Sequence, residues 1–261
     1  MTSSQKVIKG LAIALAVFII IGFVNLIFFI LGGFNYIFVG KDDVTYSTHN
    51  IYDVANLNIK VSYSKINIID SDEFKIELNS LCEYSISNNT LTIKDIKKFR
   101  VNPGADIYLN LYIPVGKVFD DVYIDAGAGN VKIDTIKANT LDFDMGAGKV
   151  SINNLEVYSH AKLDGGAGNF NIENGILSNV DFDMGVGNVD IKASLTGNNK
   201  IDMGMGNLSI DLIDSVNNYR FDIEKGIGSV SIDGEGKSNG VYGNGATFIE
   251  IDGGIGSINI H

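Results

Sequence analysis

An acidic residue-x-Gly-x-Gly motif recurs seven times in this chain, with its first glycine at Gly127, Gly146, Gly166, Gly185, Gly204, Gly226 and Gly254. The spacings are 19, 20, 19, 19, 22 and 28 residues, and alternating apolar residues flank each glycine pair. A strand pair this short cannot bury its apolar face alone, so a fixed period specifies coils that stack and bury one another's faces. The fold class expected is all-β: a parallel β-helix or β-solenoid with about 19–20 residues per coil.

The segment 141–152 shows the template most clearly. Alternation places Leu141 and Phe143 on one face before the corner, and Val150 and Ile152 on one face after it. Val122, Ile124, Val131 and Ile133 repeat this, as do Val180, Phe182, Val189 and Ile191, and Ile249, Ile251, Ile258 and Ile260. Ile136, Leu155, Ile176, Leu195 and Ile213 follow the corners at a nearly constant distance and predict a third inward contact. The glycines read as corner residues needing φ > 0 and close backbone approach to the next coil. A phosphate loop would need a helix after Gly-x-Gly, and a strand pattern follows instead.

After the second glycine stand Asn130, Lys149, Asn169, Asn188, Asn207, Ser229 and Ser257. Stacked at about 4.8 Å, such amides form a ladder; residues that merely tolerate turns give the same pattern. Upstream, residues 57–68 fit the template with Ser62 and Ser64 in the glycine places. Further short strands are expected at 74–78, 91–94 and 107–113, partly as degenerate coils and partly as a cap over the open end. The glycine-rich stretch 233–246 reads as a flexible excursion interrupting the last coil.

The corner acids Asp125, Asp144, Asp164, Asp183, Asp202, Glu224 and Asp252 fall one per coil and point outward, forming a carboxylate column. Each acid is expected to cap the amides of its own glycine turn. A calcium stripe is the alternative, but the calcium-binding nonapeptide repeat needs Asp two places after its last glycine, where Val131, Val150, Phe170, Val189 and Leu208 stand here. A polysaccharide-active enzyme would use pairs such as Asp142 with Asp144 or Asp181 with Asp183. The only arginines are Arg100 and Arg220, and His49, His160 and His261 are scattered, giving neither metal cluster nor triad. No catalytic, cofactor-binding or metal residue is assigned, no cofactor is implied, and the chain does not read as an enzyme.

Residues 10–39 contain no charge. As helix, 30 residues extend roughly 45 Å, enough to cross a hydrocarbon core of about 30 Å. The run is too long for a cleaved signal peptide and no good cleavage site follows. Lys6 and Lys9 precede it, which predicts a cytoplasmic N-terminus and an extracellular remainder. Setting aside those two lysines, the chain's 20 basic and 31 acidic residues leave a formal charge of −13 outside. Nucleic acid is thereby excluded as a partner. One cysteine, Cys82, precludes an internal disulfide and reads as a buried thiol.

The organisation expected is a cytoplasmic tail at 1–9, one transmembrane α-helix at 10–39, a linker at 40–56, degenerate coils and cap at 57–121, and Gly-x-Gly coils at 122–261. The repeated Gly-Ala-Gly corners, with Leu111-Tyr112-Ile113-Pro114-Val115-Gly116 before them, resemble the bacterial putative adhesin family over about residues 57–261. That resemblance implies an envelope β-solenoid of no established activity, often encoded beside envelope-stress regulators. The function expected is a membrane-anchored extracellular module for binding, scaffolding or envelope stress. Its partners would be the lipid bilayer through 10–39 and a cell-envelope protein or polysaccharide.

Overall fold

The structure, a computed structural model, describes residues 37–39, 44–62, 65–96, 99–101 and 107–261. They belong to two units. In the first, Ile37–Val39 pairs in parallel with Phe99–Val101. The membrane helix expected at 10–39 otherwise lies outside the described residues; its last three residues are extended, as the β-branched Ile37 and Val39 favour. Among the described residues no helix is long and apolar enough to cross a membrane.

The second unit is a stack of all-β coils joined by parallel ladders. Successive coils pair in register, Phe182 on Leu163, then Ile201 on Phe182. The inward alternation expected at 122–133, 141–152, 180–191 and 249–260 is buried throughout. Residues 57–68 form a coil as read, with Leu57 and Ile59 under Val122 and Ile124 and with Ser62 under Gly127. Ser64 lies outside the described residues.

Volume is traded between neighbouring coils. Phe170 meets Phe143 and Phe182 edge to face, at centroid distances of 5.6 and 5.2 Å. All three rings are fully buried, and the coil that carries Phe170 has the small Ala161 and Gly165 among its other residues. A Cβ on Gly165 would lie 2.4 Å from Met184 Sδ, so the missing side chain admits a neighbour's thioether.

Chain order and stack order diverge at both ends. A Cβ added to Gly146, Gly166, Gly185 or Gly204 would strike the carbonyl oxygen of the preceding corner at 2.3–2.6 Å. Gly254, not Gly226, follows Gly204 at 2.1 Å, and Gly226 follows Gly254 at 2.4 Å. The strand Thr247–Ile260 is thus inserted between Asn198–Leu212 and Tyr219–Ile232. At the other end Thr90–Asp95 and Tyr108–Pro114 lie outside Asn56–Val61 and Lys65–Ser71, although they follow them in sequence. The excursion expected at 233–246 is instead a cover: Glu235–Lys237 and Gly240–Tyr242 pair antiparallel with Tyr219–Ile232 on its open edge. Within 40–56, read as a linker, Tyr46–Asn50 pairs antiparallel with Lys75–Asn79, and Ile51 and Val54 are buried. Lys75–Asn79 and Cys82–Ser87 in turn cover the first end, and Cys82 is buried as expected.

Two expectations about the coil are corrected. Ile176 and Ile213 point outward, 46% and 48% exposed, whereas Ile136, Leu155 and Leu195 are buried. Gly175, paired with Leu155 at the same distance of nine residues past its corner, takes the inward place, and Ile176, one position later, turns outward. Positive φ also belongs to the second glycine of each corner, +150° at Gly187 and +139° at Gly206, and not to the first. The first glycine is required by close approach alone.

These distances rank substitutions. A Cβ on Gly185 would sit 2.6 Å from the Gly166 carbonyl oxygen, and one on Gly187 only 1.7 Å from that of Gly168, at a φ that L residues rarely adopt. Gly185→Ala is expected to destabilise by about 2 kcal/mol and Gly187→Ala by more, since strain of about 1–3 kcal/mol adds to the clash. Urea unfolding of both variants checks the order; equal stability of Gly187→Ala and parent would refute it.

Candidate functional site

Because the coils are in register, each outward position becomes a column. The corner acids stack in the order Asp164, Asp183, Asp202, Asp252, Glu224. Asp125 and Asp144 precede them, and the column continues beyond Asp125 into Lys60 and Lys94. One step inward along the strands run Tyr123, Asp142, Lys162, Asp181, Lys200 and Glu250. Seen on this face, most charge is negative.

The carboxylates do not cap their turns. Lys162 Nζ donates to Asp164 at 2.5 Å and Lys200 Nζ to Asp202 at 2.6 Å, while no amide of a glycine corner donates to a column carboxylate among the described residues. The reason lies in the register: the corner amides are spent on the next coil, as where Ala128 N donates to Ser62 O. Lysines occur on alternate coils, leaving Asp144 and Asp183 without one. Burial, then the charges of Asp125 and Asp164, push the Asp144 carboxyl above its ordinary value. Burial, then the charge of Asp202, push up Asp183. One oxygen of Asp202, Oδ1, is buried without a hydrogen-bond partner. Among the described residues no group of three His, Cys, Asp or Glu side chains is placed to hold a metal ion.

The amide ladder forms where adjacent coils both supply asparagine. Asn188 Nδ2 donates to Asn169 Oδ1 at 3.2 Å, Asn207 Nδ2 to Asn188 Oδ1 at 3.0 Å, and Ser257 Oγ to Asn207 Oδ1 at 2.6 Å. Asn130 stands apart, separated from Asn169 by the Lys149 coil. Between the glycines of each corner an apolar residue faces outward, and toward one end these become large: Val186, Met205 and Ile227 are 39%, 47% and 51% exposed. The sequence reading passed over this ridge, although the Ala-to-Val-to-Met-to-Ile progression was its signal.

On the third side of the coil, Glu156 accepts from Lys137 at 2.8 Å, Tyr158 Oη at 2.6 Å and Asn154 Nδ2 at 3.0 Å. Burial would raise this carboxyl, but the three donors outweigh it and bring it down to about 2. The acid pairs considered for catalysis, Asp142 with Asp144 and Asp181 with Asp183, lie on the outer face with lysines between them. Arg220 stacks over Phe248 at 5.5 Å. His49 bonds Ser47, His160 lies on the outer face, and His261 ends the chain, so none of them meets another in a triad. Arg100 falls in the strand pair of the first unit.

Two concavities mark the acidic face. One, of about 530 Å³, is bounded by Asp202, Glu224, Lys225, Asn239 and Asp252 at the end covered by the 233–246 segment. The other, of about 480 Å³, lies near the opposite end beside Tyr123.

The two kinds of carboxylate predict opposite responses. A raised folded-state carboxyl costs stability at neutral pH, and the cost disappears as pH falls through the carboxylate range. Asp183→Asn should therefore raise the melting temperature at pH 7, with the gain shrinking toward pH 4. A lowered carboxyl contributes stability above its ordinary 4.5, lost as pH falls toward 2. Glu156→Gln should cost about 1–2 kcal/mol at pH 7 and progressively less below pH 4.5. Calorimetric melting of both variants across pH 3–7 distinguishes them; parallel curves would contradict the assignment.

With this geometry in view, the relatives can be placed. Residues 54–244 match the family described as Toastrack DUF4097, and the chain belongs to it. Among solved structures it is similar to a putative cell adhesion protein from Clostridium sporogenes ATCC 15579, at 16% identity and a TM-score of 0.38 over 83% of this chain and 98% of that one. It is similar also to a putative adhesin from Parabacteroides distasonis ATCC 8503, at 15% identity and a TM-score of 0.41 over 86% and 100%. A third, a putative adhesin from Bacteroides fragilis NCTC 9343, shares 13% identity with a TM-score of 0.31 over 86% and 100%. No curated protein matches.

Proposed function

We propose that this member of the Toastrack DUF4097 family is a non-catalytic binding or scaffolding module of the cell envelope, held at the outer surface of the membrane by residues 10–39. The observation that carries the binding reading is the in-register outer face. Identical backbone steps repeat the same outward position from Asp125 to Glu224, so the chain presents long columns of fixed chemistry at a constant spacing. Stacked repeats characteristically use such extended surfaces to hold extended partners. A catalytic site needs the opposite, a local convergence of unlike groups on one reacting atom.

The placement at the membrane rests on sequence: an uncharged run of 30 residues behind Lys6 and Lys9, followed by a strongly acidic remainder. Acidity would keep that remainder off anionic lipid and leave its columns open to protein or polysaccharide. Protease added to intact cells should therefore digest 57–261 while the N-terminal segment stays with the membrane. Full protection of the C-terminus, or a mature chain starting near Lys41, would overturn the placement.

A further inference from the structure

The concavity beside Tyr123 is a furrow between two outward columns. Its floor is the backbone of Leu57, Val122 and Leu141, whose side chains point into the core. One wall carries Asn56, Asp121, Thr140 and His160, and the other Asn58, Tyr123, Asp142 and Lys162. Three coil-to-coil steps separate the ends, roughly 14 Å at the spacing of stacked strands. Its volume of about 480 Å³ lies within the range of small-molecule sites.

The first wall is already fixed from within. Asn56 Nδ2 donates to Thr90 Oγ1 at 3.4 Å, Asp121 N donates to Asn56 Oδ1 at 3.2 Å, and Thr140 Oγ1 donates to Asp121. The second wall holds groups that lack such closure. Asn58 Oδ1 is buried and finds no donor within the protein, an arrangement that is destabilising when left unmet. Asp142 receives no hydrogen bond among the described residues, because Lys162 turns to Asp164. The Tyr123 ring has Lys60 Nζ 4.9 Å from its centroid, which helps hold it at the furrow's edge.

We propose that this furrow binds a neutral polyhydroxylated ligand, a short stretch of saccharide, with Tyr123 as its stacking platform and Asn58 and Asp142 as its hydroxyl acceptors. Sugar hydroxyls supply donors to both acceptors and accept in turn from Lys162 and His160, and the C–H face of a pyranose suits an aromatic ring. An anionic sugar is disfavoured because the Asp125–Asp144 column runs beside the furrow. A basic peptide has no need of the ring and would find more carboxylates farther along the face. The assignment rests on the proposed role as a binding module and names its ligand class.

The full chain in detergent micelles, titrated calorimetrically with maltotriose, cellotriose, chitotriose and trigalacturonate, tests it. At least one neutral trisaccharide should bind, with trigalacturonate at least tenfold weaker. Tyr123→Ala and Asp142→Asn should each weaken binding at least tenfold, Tyr123→Phe should retain most of it, and Lys192→Ala on the following side of the coil should change nothing. Circular dichroism melting of each variant separates lost binding from lost fold. Binding by none of the neutral sugars at millimolar concentration, strongest binding by trigalacturonate, or unchanged binding in a folded Tyr123→Ala overturns the proposal. If the furrow fails while whole envelopes still retain the chain, the module reading survives it. If the trisaccharide binds and is cleaved, the furrow stands and the non-catalytic reading falls.

Discussion

The backbone contact between stacked corners governs the rest of this molecule. At every corner after Gly127 the first glycine sits so close to the coil it rests on that a single Cβ would lie 2.1–2.6 Å from a carbonyl oxygen. Side chains elsewhere tolerate sliding; this contact does not. It fixes where one coil rests on the next, and a one-residue slip would send every apolar residue to the solvent face. Hydrophobic burial drives the stack together, and the glycine corners decide its register.

Strict register has an electrostatic consequence. It aligns like residues, which favours amides and disfavours carboxylates. Asn169 accepts while Asn188 and Asn207 both donate and accept, so repetition adds hydrogen bonds of about 1 kcal/mol apiece. Asp144 and Asp183 only accept when ionised, and neighbours about 5 Å apart repel by roughly 0.8 kcal/mol per pair even in water. Lys162 and Lys200 interrupt this repulsion on alternate coils. The charge between those lysines carries an uncompensated cost that the fold itself does not require.

Much of this could be read from the residues. Period, inward pairs, the Ser62 corner and the asparagine ladder all follow from local alternation plus one spatial rule, that the next repeat in sequence is the next in space. Where that rule fails, the reading failed. The inserted strand 247–260 resembles any other repeat, and only the lengthened spacings of 22 and 28 residues hinted that the chain doubles back. Positive φ at Gly187 rather than Gly185 is a property of the corner's shape, invisible in Gly-x-Gly itself. The furrow was hidden for a different reason. Asn58, Tyr123 and Asp142 are far apart in sequence and look like an ordinary solvated strand face until four coils are superposed.

The doubling back at both ends solves a problem that stacking creates. A parallel stack grown in simple sequence order leaves its last strand as an open edge, held on one side and able to pair with another chain. Here the C-terminal strand is held on both sides, by Asn198–Leu212 and Tyr219–Ile232. The strand that does reach the end is then covered by the antiparallel segments Glu235–Lys237 and Gly240–Tyr242, which it could accept only because the chain had to return past it. Asn199 shows the fit required at this junction. Buried among apolar neighbours, it accepts from Val180 N at 3.1 Å and donates to Phe248 O at 3.0 Å, tying the coil before the insertion to the inserted strand itself. The same device that closes the edges therefore also terminates the columns. What it leaves open are the lateral faces of the stack, where the charge and the furrow lie.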